Sequence, residues 1–193
     1  MNKIVYDGFI EVICGPMFAG KTAELIHRRD KIKYAKQNAI IFKPIIDTRD
    51  NNNIFSRHYK VNNFNIDSPV IMVNNSENIL NHIDENSKVI IIDEAQFFDD
   101  KIIEVCLFLV QKKKHLIIAG LDKNFRVEPF GPMPKLLAIA DKITKLTAAC
   151  NVCGGHASLT QRITKSDNEI LIGDNDFYEA RCYDHYEWDK RKV

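Results

Sequence analysis

The sequence predicts an α/β protein in which helices flank a mostly parallel sheet and a small second lobe follows. Four short runs rich in isoleucine and valine are continuous rather than alternating, as expected of parallel strands buried on both faces. Amphipathic stretches with helical spacing separate these runs, which favours right-handed crossover connections. The composition changes at Cys150, where glycines and polar turns begin. We therefore expect an α/β domain over residues 1–149 and a small lobe over residues 150–193.

The predicted elements follow from these local patterns in chain order. Strands are expected at residues 9–14, 39–42, 89–92 and 116–119, with weaker candidates at 70–73 and 144–149. Helices are expected at residues 21–36, 99–113 and 134–140, the last of which begins with a proline, a residue tolerated in the first turn. The polar, asparagine-rich stretch over residues 47–65 is typical of a surface loop.

Composition and charge narrow the possible functions. The chain has 27 Lys plus Arg and 26 Asp plus Glu, whereas a protein that grips nucleic acid through its phosphates usually carries a basic excess. No apolar segment approaches the ~18 residues of a membrane span, and the N-terminus has no secretory signal. The odd number of cysteines argues against a disulfide framework, and Cys14 and Cys106 lie in apolar runs typical of a core. We therefore expect a cytoplasmic protein without nucleic-acid or membrane partners.

A phosphate-binding loop is predicted between the first strand and the first helix. The sequence there is GPMFAGKT, which fits the pattern G-x-x-x-x-G-K-[ST] in the required strand-loop-helix context. Its backbone N–H groups would form an anion nest at the positive end of the helix. Lys21 would contact the β- and γ-phosphates, and Thr22 would offer its hydroxyl to Mg²⁺. The predicted nucleotide-binding residues are Gly15, Pro16, Met17, Phe18, Ala19, Gly20, Lys21 and Thr22.

Two carboxylates follow the apolar strand at residues 89–92. Asp93 is expected to hold Mg²⁺, often through water, on a strand that lies beside the strand leading into the phosphate loop. Glu94 is placed to accept a proton from the attacking oxygen of water or of a substrate hydroxyl. The alternative is that Glu94 only caps the strand end. ATPases and kinases both use such a pair, so the motif alone does not separate them.

Two pairs of potential metal ligands stand far apart in the chain. Cys150 is paired with Cys153, and Cys182 with His185, each across a two-residue gap that lets both side chains reach one ion. Three thiolates and one imidazole would form a closed, structural zinc site. His156 is a rival fourth ligand, and three unrelated free thiols are the remaining alternative.

Further motifs give the sequence a specific resemblance. DEAQFF occupies residues 93–98, AGLD residues 119–122 and PFGPMP residues 129–134, and the paired ligands complete the pattern. In this order and with the phosphate loop, these motifs resemble the type II thymidine kinases over residues 10–185. The resemblance implies a RecA-like α/β domain and a zinc lobe that carries a substrate-binding lasso loop. It also implies transfer of the γ-phosphate of ATP to the 5′-hydroxyl of thymidine or deoxyuridine, as in pyrimidine deoxynucleotide salvage.

The resemblance assigns roles at the phosphates. Glu94 would be the general base, with Lys21 and Arg49 as further catalytic residues. Mg²⁺ would lie between Thr22, Asp93 and the phosphates. Asp50, after Arg49, departs from the family, which often has an aromatic residue there. The implied phosphate-site residues beyond the loop are Asp93, Glu94, Ala95 and Gln96.

The resemblance also implies how thymidine binds. Backbone groups of a lasso over residues 163–177 would pair with the polar edge of thymine, a pattern that cytosine breaks. Asp174 replaces one glycine of a pair common in the family. The implied substrate-binding residues are Met17, Phe97, Leu121, Phe125, Thr160, Ile170, Ile172, Gly173, Asp174 and Tyr178.

Assembly and regulation are further implications of the resemblance, since members of the family are commonly homotetramers inhibited by thymidine triphosphate.

Two other functions are compatible with the motifs. One is a small ATPase whose zinc knuckle binds nucleic acid, and the other is a noncatalytic nucleotide switch. The near-neutral charge and the lack of a basic stripe interleaved with aromatic residues both disfavour the ATPase. The lysine run at residues 112–114 is more typical of a solvated helix end. A noncatalytic switch would give Glu94 no catalytic role.

Overall fold

A six-stranded parallel sheet forms the centre of the protein. The computed structural model describes residues 4–45, 70–164 and 177–188. The sheet strands are β1 (Phe9–Cys14), β2 (Ala39–Pro44), β3 (Val70–Val73), β4 (Val89–Ile92), β5 (His115–Gly120) and β6 (Lys142–Lys145). They lie in the order β3-β2-β4-β5-β1-β6, and all adjacent pairs are parallel. The predicted α/β class is therefore confirmed.

Helices cover both faces of the sheet. They are α1 (Lys21–Tyr34), α2 (Ile102–Gln111) and α3 (Met133–Ile139), with short 3₁₀ turns at Glu77–His82, Ala95–Phe97 and Tyr183–His185. One core cluster packs Ile92 and Ile118 against Cys106 of α2 and Leu136 of α3. The opposite cluster packs alternate strand residues against α1. Burial on both faces explains why the strand runs are continuously apolar.

The strand order corrects one expectation. Strand β4 pairs with β2 and β5, not with β1, so β5 separates the strand of the acidic pair from the strand of the phosphate loop. The prediction that these two strands are adjacent in the sheet was therefore wrong. Every interior strand of such a sheet has the same apolar pattern, so the pattern does not encode which strands pair.

Two predicted helices end earlier than expected because lysines adopt the left-handed conformation that usually favours glycine. After α1, Lys36 has φ 56°, and after α2, Lys113 has φ 58°. Such a residue ends a helix, and because it is lysine rather than glycine here, the helix end could not be predicted from the residue type. The turn at Lys113 also sends Lys114 inward, where its Nζ donates to the backbone carbonyl oxygen of Asp84 at 2.7 Å. The interpretation of the whole lysine run as solvated was wrong for Lys114.

Two short antiparallel strand pairs follow the large sheet, and this region is called the small lobe below. β7 (Ala148–Ala149) pairs with β8 (His156–Ala157), and β9 (Leu159–Arg162) pairs with β10 (Tyr178–Arg181). The single strand expected over residues 144–149 is therefore divided between β6 of the large sheet and β7 of this lobe. Within the described ranges, every helix is too short or too polar to cross a membrane.

Candidate active site and metal centre

The loop after β1 has the conformation that its glycines permit. Gly15 has φ 147°, and a β-carbon there would lie 2.4 Å from the backbone oxygen of Leu146. Gly20 has φ 80° immediately before α1. A side chain at Gly15 would therefore collide with the neighbouring backbone, and both glycines allow the chain to turn tightly into the helix.

Lys21 lies folded back over this loop. Its Nζ donates to the backbone oxygen of Pro16 at 2.8 Å. Burial lowers the pKa of Lys21, while the nearby carboxylates of Glu94, Asp93 and Asp122 act in the opposite direction. The ammonium is thus held by the loop itself and lies within the electrostatic reach of the acidic pair.

Asp93 forms a buried ion pair with Lys43 at the end of β2. The Lys43 Nζ lies 2.9 Å from Asp93 Oδ2, and the two side chains are 6% and 4% exposed. Asp93 Oδ1 accepts a hydrogen bond from the backbone N–H of Glu94 at 2.9 Å. Both carboxylate oxygens therefore have fixed partners, which orients Asp93 at the end of the sheet. Lys43 was not singled out from the sequence, where its only signal is one charge directly after the predicted apolar strand at residues 39–42.

Glu94 is oriented by Gln96. The backbone of Glu94 is left-handed, with φ 55°, a strained conformation of the kind that clusters at functional sites. Gln96 Nε2 donates to Glu94 Oε2 at 2.6 Å, and Gln96 Oε1 accepts from the backbone N–H of Leu121 at 2.9 Å. Gln96 is buried, so this relay holds the carboxylate against the start of the segment after β5.

Burial and a neighbouring charge make the Glu94 carboxylate a stronger proton acceptor than an exposed glutamate. Desolvation by burial raises the pKa of Glu94, and the charge of Asp93 raises it further. Lys21, the hydrogen bond from Gln96 and Lys43 oppose this rise. A carboxylate of raised pKa at the mouth of a sheet is suited to accept a proton during a reaction.

The four predicted metal ligands converge in the small lobe. The ligand atoms of Cys150, Cys153, Cys182 and His185 all lie within 4.8 Å of one another. The Sγ atoms of Cys153 and Cys182 are 3.9 Å apart, close to the separation of about 3.8 Å across a tetrahedral ion with Zn–S bonds of about 2.3 Å. The cluster is therefore compatible with zinc.

Backbone hydrogen bonds favour the thiolate form of Cys150. Burial raises the pKa of Cys150, but hydrogen bonds from the backbone of Cys182, Cys153 and Val152 outweigh it and lower the pKa to about 6. The rival ligand His156 is exposed, and its Nδ1 lies 3.3 Å from Thr147 Oγ1, outside the cluster. The donor set fits zinc because thiolate and imidazole are its usual protein ligands.

Several predicted pocket residues contact the elements of the predicted phosphate site. The backbone N–H of Met17, in the loop, donates to Thr160 Oγ1 of β9 at 3.0 Å. Leu121 is tied to Gln96, as described above. Phe97 packs edge-on against Phe130, with ring centroids 5.5 Å apart, although Phe130 was not assigned to the pocket. The loop, the segment after β5 and the small lobe therefore meet around the acidic pair.

Comparison with known proteins decides the family. The thymidine kinase family model matches residues 8–186.

The chain belongs to the thymidine kinase family.

Three bacterial relatives illustrate the similarity. The chain is 48% identical to the thymidine kinase of Mycoplasma genitalium over 189 residues, which cover 96% of this chain and 86% of the relative. It is 50% identical to the thymidine kinase of Ureaplasma urealyticum over 190 residues, or 93% of this chain and 82% of the relative. The enzyme of Ureaplasma parvum is 48% identical over the same shares. The type II resemblance predicted from the motifs is therefore confirmed at the family level.

The thymidine kinase motifs are only partly visible in this structure. The loop, the acidic pair, Gln96 and the metal ligands lie in the described residues and are grouped as above. The predicted site residues that fall outside the described residues are Arg49, Ile170, Ile172, Gly173 and Asp174.

We expect Gly131→Ala to lower both stability and turnover in this thymidine kinase family member. A β-carbon at Gly131 would lie 2.1 Å from the backbone oxygen of Gln96, so Gln96 must move and release Glu94. Overpacking of this kind costs about 1–3 kcal/mol. Urea unfolding and steady-state kinetics would measure the two effects. Gly154→Ala is the control, because Gly154 also has positive φ, at 71°, but has no atom within 4 Å of its β-carbon position. Equal effects of the two variants would contradict this role of Gly131.

Proposed function

We propose that this protein is a thymidine kinase that transfers the γ-phosphate of ATP to the 5′-hydroxyl of thymidine, and of deoxyuridine, in pyrimidine deoxynucleotide salvage. The observation that carries the proposal is the position of Glu94. Its carboxylate is held by Gln96, which also accepts from the backbone of Leu121, a predicted wall of the nucleoside pocket. The base is therefore linked to the predicted acceptor pocket, whereas an ATPase needs only a position for water.

Each residue of the proposed site has a different role in phosphoryl transfer. Glu94 accepts the proton of the 5′-hydroxyl as its oxygen bonds to the γ-phosphorus, while the bond from that phosphorus to the bridging oxygen of ADP breaks. Lys21 and the backbone N–H groups of the loop stabilise charge on the phosphate oxygens. Thr22 and Asp93 are the residues that would hold Mg²⁺, which neutralises phosphate charge when bound. We further propose Arg49 as a second cation near these phosphates.

Thymine is proposed to be selected by backbone groups of residues 163–177, including Ile170, Ile172, Gly173 and Asp174. Thymine presents an acceptor, a donor and an acceptor along its polar edge. Cytosine would leave buried groups of the site unsatisfied, at a cost of about 1–3 kcal/mol for each. The described side chains around this site would then wall the base. They are Met17, Phe97, Leu121, Phe125, Thr160 and Tyr178.

Zinc is proposed as a structural ion held by Cys150, Cys153, Cys182 and His185. With four protein ligands the ion has no open position for a substrate, so its contribution would be to stabilise the lobe. The free thiols of this set suit a reducing compartment, and we propose a cytoplasmic location. Feedback inhibition by thymidine triphosphate and a homotetrameric assembly are proposed from the family resemblance.

The central experiment is incubation with Mg-ATP and thymidine, followed by detection of thymidine monophosphate. We expect product with thymidine and deoxyuridine but little with deoxycytidine. ATP hydrolysis is measured in parallel without nucleoside, with and without single-stranded DNA. Hydrolysis stimulated by DNA, without any nucleoside monophosphate, would instead identify the ATPase.

Replacing Lys21 by methionine should mainly lower kcat. Methionine keeps most of the length of the side chain and removes the ammonium that lies over the loop, so the transferring phosphate loses transition-state stabilisation. Loss of one such electrostatic group typically costs about 10²–10³-fold. Steady-state kinetics with varied ATP and varied thymidine would measure it. An unchanged kcat, with only a higher KM for thymidine, would contradict the assignment of Lys21 to the phosphates.

A further inference from the structure

Arg162 joins two predicted walls of the nucleoside pocket. It is the last residue of β9 and lies opposite Tyr178 of β10. Its guanidinium carbon is 3.6 Å from the centroid of the Phe125 ring and 5.4 Å from that of the Tyr178 ring. Its Nη2 donates to Tyr178 Oη at 2.9 Å. One buried side chain therefore contacts both aromatic residues.

The two rings belong to different parts of the protein. Phe125 lies in the segment that leaves the large sheet after β5, whereas Tyr178 lies in the small lobe. A second contact supports the same junction, because the hydroxyl of Tyr186 in the small lobe donates to the backbone oxygen of Phe125. The position of the Phe125 ring relative to Tyr178 is thus set by side chains of the small lobe, with Arg162 between the rings.

The chemistry of arginine suits this position. A planar guanidinium can stack on an aromatic face and donate a directed hydrogen bond at the same time, whereas the ammonium of lysine is a compact point charge. Burial of a cation is costly, and an apolar side chain could fill such a space without that cost. Packing alone therefore does not account for an arginine with 9% exposure.

We propose that Arg162 is a positioning residue for the nucleoside: it fixes the rings of Phe125 and Tyr178 relative to each other and thereby sets the affinity for the pyrimidine nucleoside. It takes no part in phosphoryl transfer. The inference rests on the proposed function, because Phe125 and Tyr178 are pocket walls only if the protein binds thymidine. Arg162 itself was not among the residues predicted from the sequence.

The test compares Arg162→Met, Arg162→Lys and the control Arg126→Met. Arg126 also approaches the Phe125 ring, with its guanidinium carbon 5.0 Å from the centroid, but its side chain is exposed. The KM for thymidine, the KM for ATP and kcat are measured for each variant. Thermal unfolding and bound zinc are measured on the same samples.

We expect Arg162→Met to raise the KM for thymidine by about tenfold to a hundredfold, since it removes a buried cation–π contact and leaves the Tyr178 hydroxyl without this donor. The kcat and the KM for ATP should stay within about threefold of the unmodified protein, because the phosphate site is untouched. Arg162→Lys should restore only part of the affinity, since it keeps the charge and loses the planar stacking. Arg126→Met should change none of these values.

A KM for thymidine within twofold of the unmodified value in folded Arg162→Met protein would overturn the inference. So would an equal loss of thymidine and ATP affinity together with a lower Tm, which indicates a general structural role. Failure of the unmodified protein to phosphorylate thymidine would instead overturn the proposed function.

If Arg162→Met does not fold, Arg162→Lys and Tyr178→Phe form a double-mutant cycle for thymidine affinity. Tyr178→Phe keeps the ring and removes only the hydroxyl that accepts from Arg162. Non-additive effects on the KM for thymidine would support a direct coupling of the two side chains. Additive effects would refute it.

Discussion

Glu94→Gln should retain the binding of both substrates and lose most phosphoryl transfer. The amide keeps the shape of the side chain, and its oxygen can still accept the hydrogen bond from Gln96. It cannot accept the proton of the 5′-hydroxyl. General-base catalysis is typically worth about 10²–10⁴-fold, and we expect kcat to fall by that factor. Rapid-quench kinetics at saturating substrates would measure the loss, and calorimetry would measure the two binding constants.

The matched control is Glu77→Gln. This variant makes the same glutamate-to-glutamine change at the protein surface. The Glu77 carboxylate pairs there with Lys101 at 2.9 Å, and both side chains are 60% exposed. This control should turn over normally, because an exposed ion pair contributes little. Near-normal turnover by Glu94→Gln would remove Glu94 from the role of base. Loss of ATP binding would show that Glu94 acts on the nucleotide rather than on the acceptor hydroxyl.

Cys153→Ser should release the metal and weaken thymidine binding while ATP still binds. Cys182 directly follows β10, and Asn151, next to Cys150, donates its backbone N–H to the oxygen of Ala180 in β10 at 2.9 Å. The ion would therefore fix the strand that carries Tyr178. Its loss removes folding free energy from the lobe, since metal binding and folding are coupled. We expect about one Zn²⁺ per chain before the change and much less after it.

Elemental analysis, thermal unfolding and separate titrations with ATP and thymidine would check this prediction. His156→Gln is the control, because His156 is exposed and lies outside the ligand cluster, and it should keep the metal. His185→Cys should be mild, since thiolate replaces imidazole in many such sites. A Cys153→Ser protein with full metal content and normal thymidine affinity would contradict the four-ligand assignment.

The sequence was most informative where chemistry dictates spacing. The phosphate loop and the metal ligands could be predicted, because an anion nest and a tetrahedral ion each require particular residues at short, fixed intervals. Glu94 could be named as a base for a similar reason, since it directly follows a buried strand. Its orientation by Gln96 could not, because that depends on the backbone of Leu121 arriving from another strand.

Contacts between residues far apart in the chain were not predictable. Lys43 and Arg162 are charged residues within strands, and a sequence pattern treats such positions as solvent-facing. Each is buried because a partner from a distant segment meets it, Asp93 in one case and Phe125 in the other. The order of the strands could not be predicted for the same reason, since strand pairing depends on the assembled sheet rather than on the sequence of any one strand.

The position of β5 between β4 and β1 sets the distance between these two strands. Neighbouring strands in a sheet lie about 4.8 Å apart, so the strand of the phosphate loop and the strand of the acidic pair are held about 10 Å apart by β5. Strand β5 therefore acts as a spacer between the backbone of the predicted phosphate loop and the backbone of the acidic pair. Leu121 emerges from the end of the same strand. A shift of β5 would therefore change the width of the proposed phosphate site and, in the same motion, move the proposed nucleoside wall at Leu121.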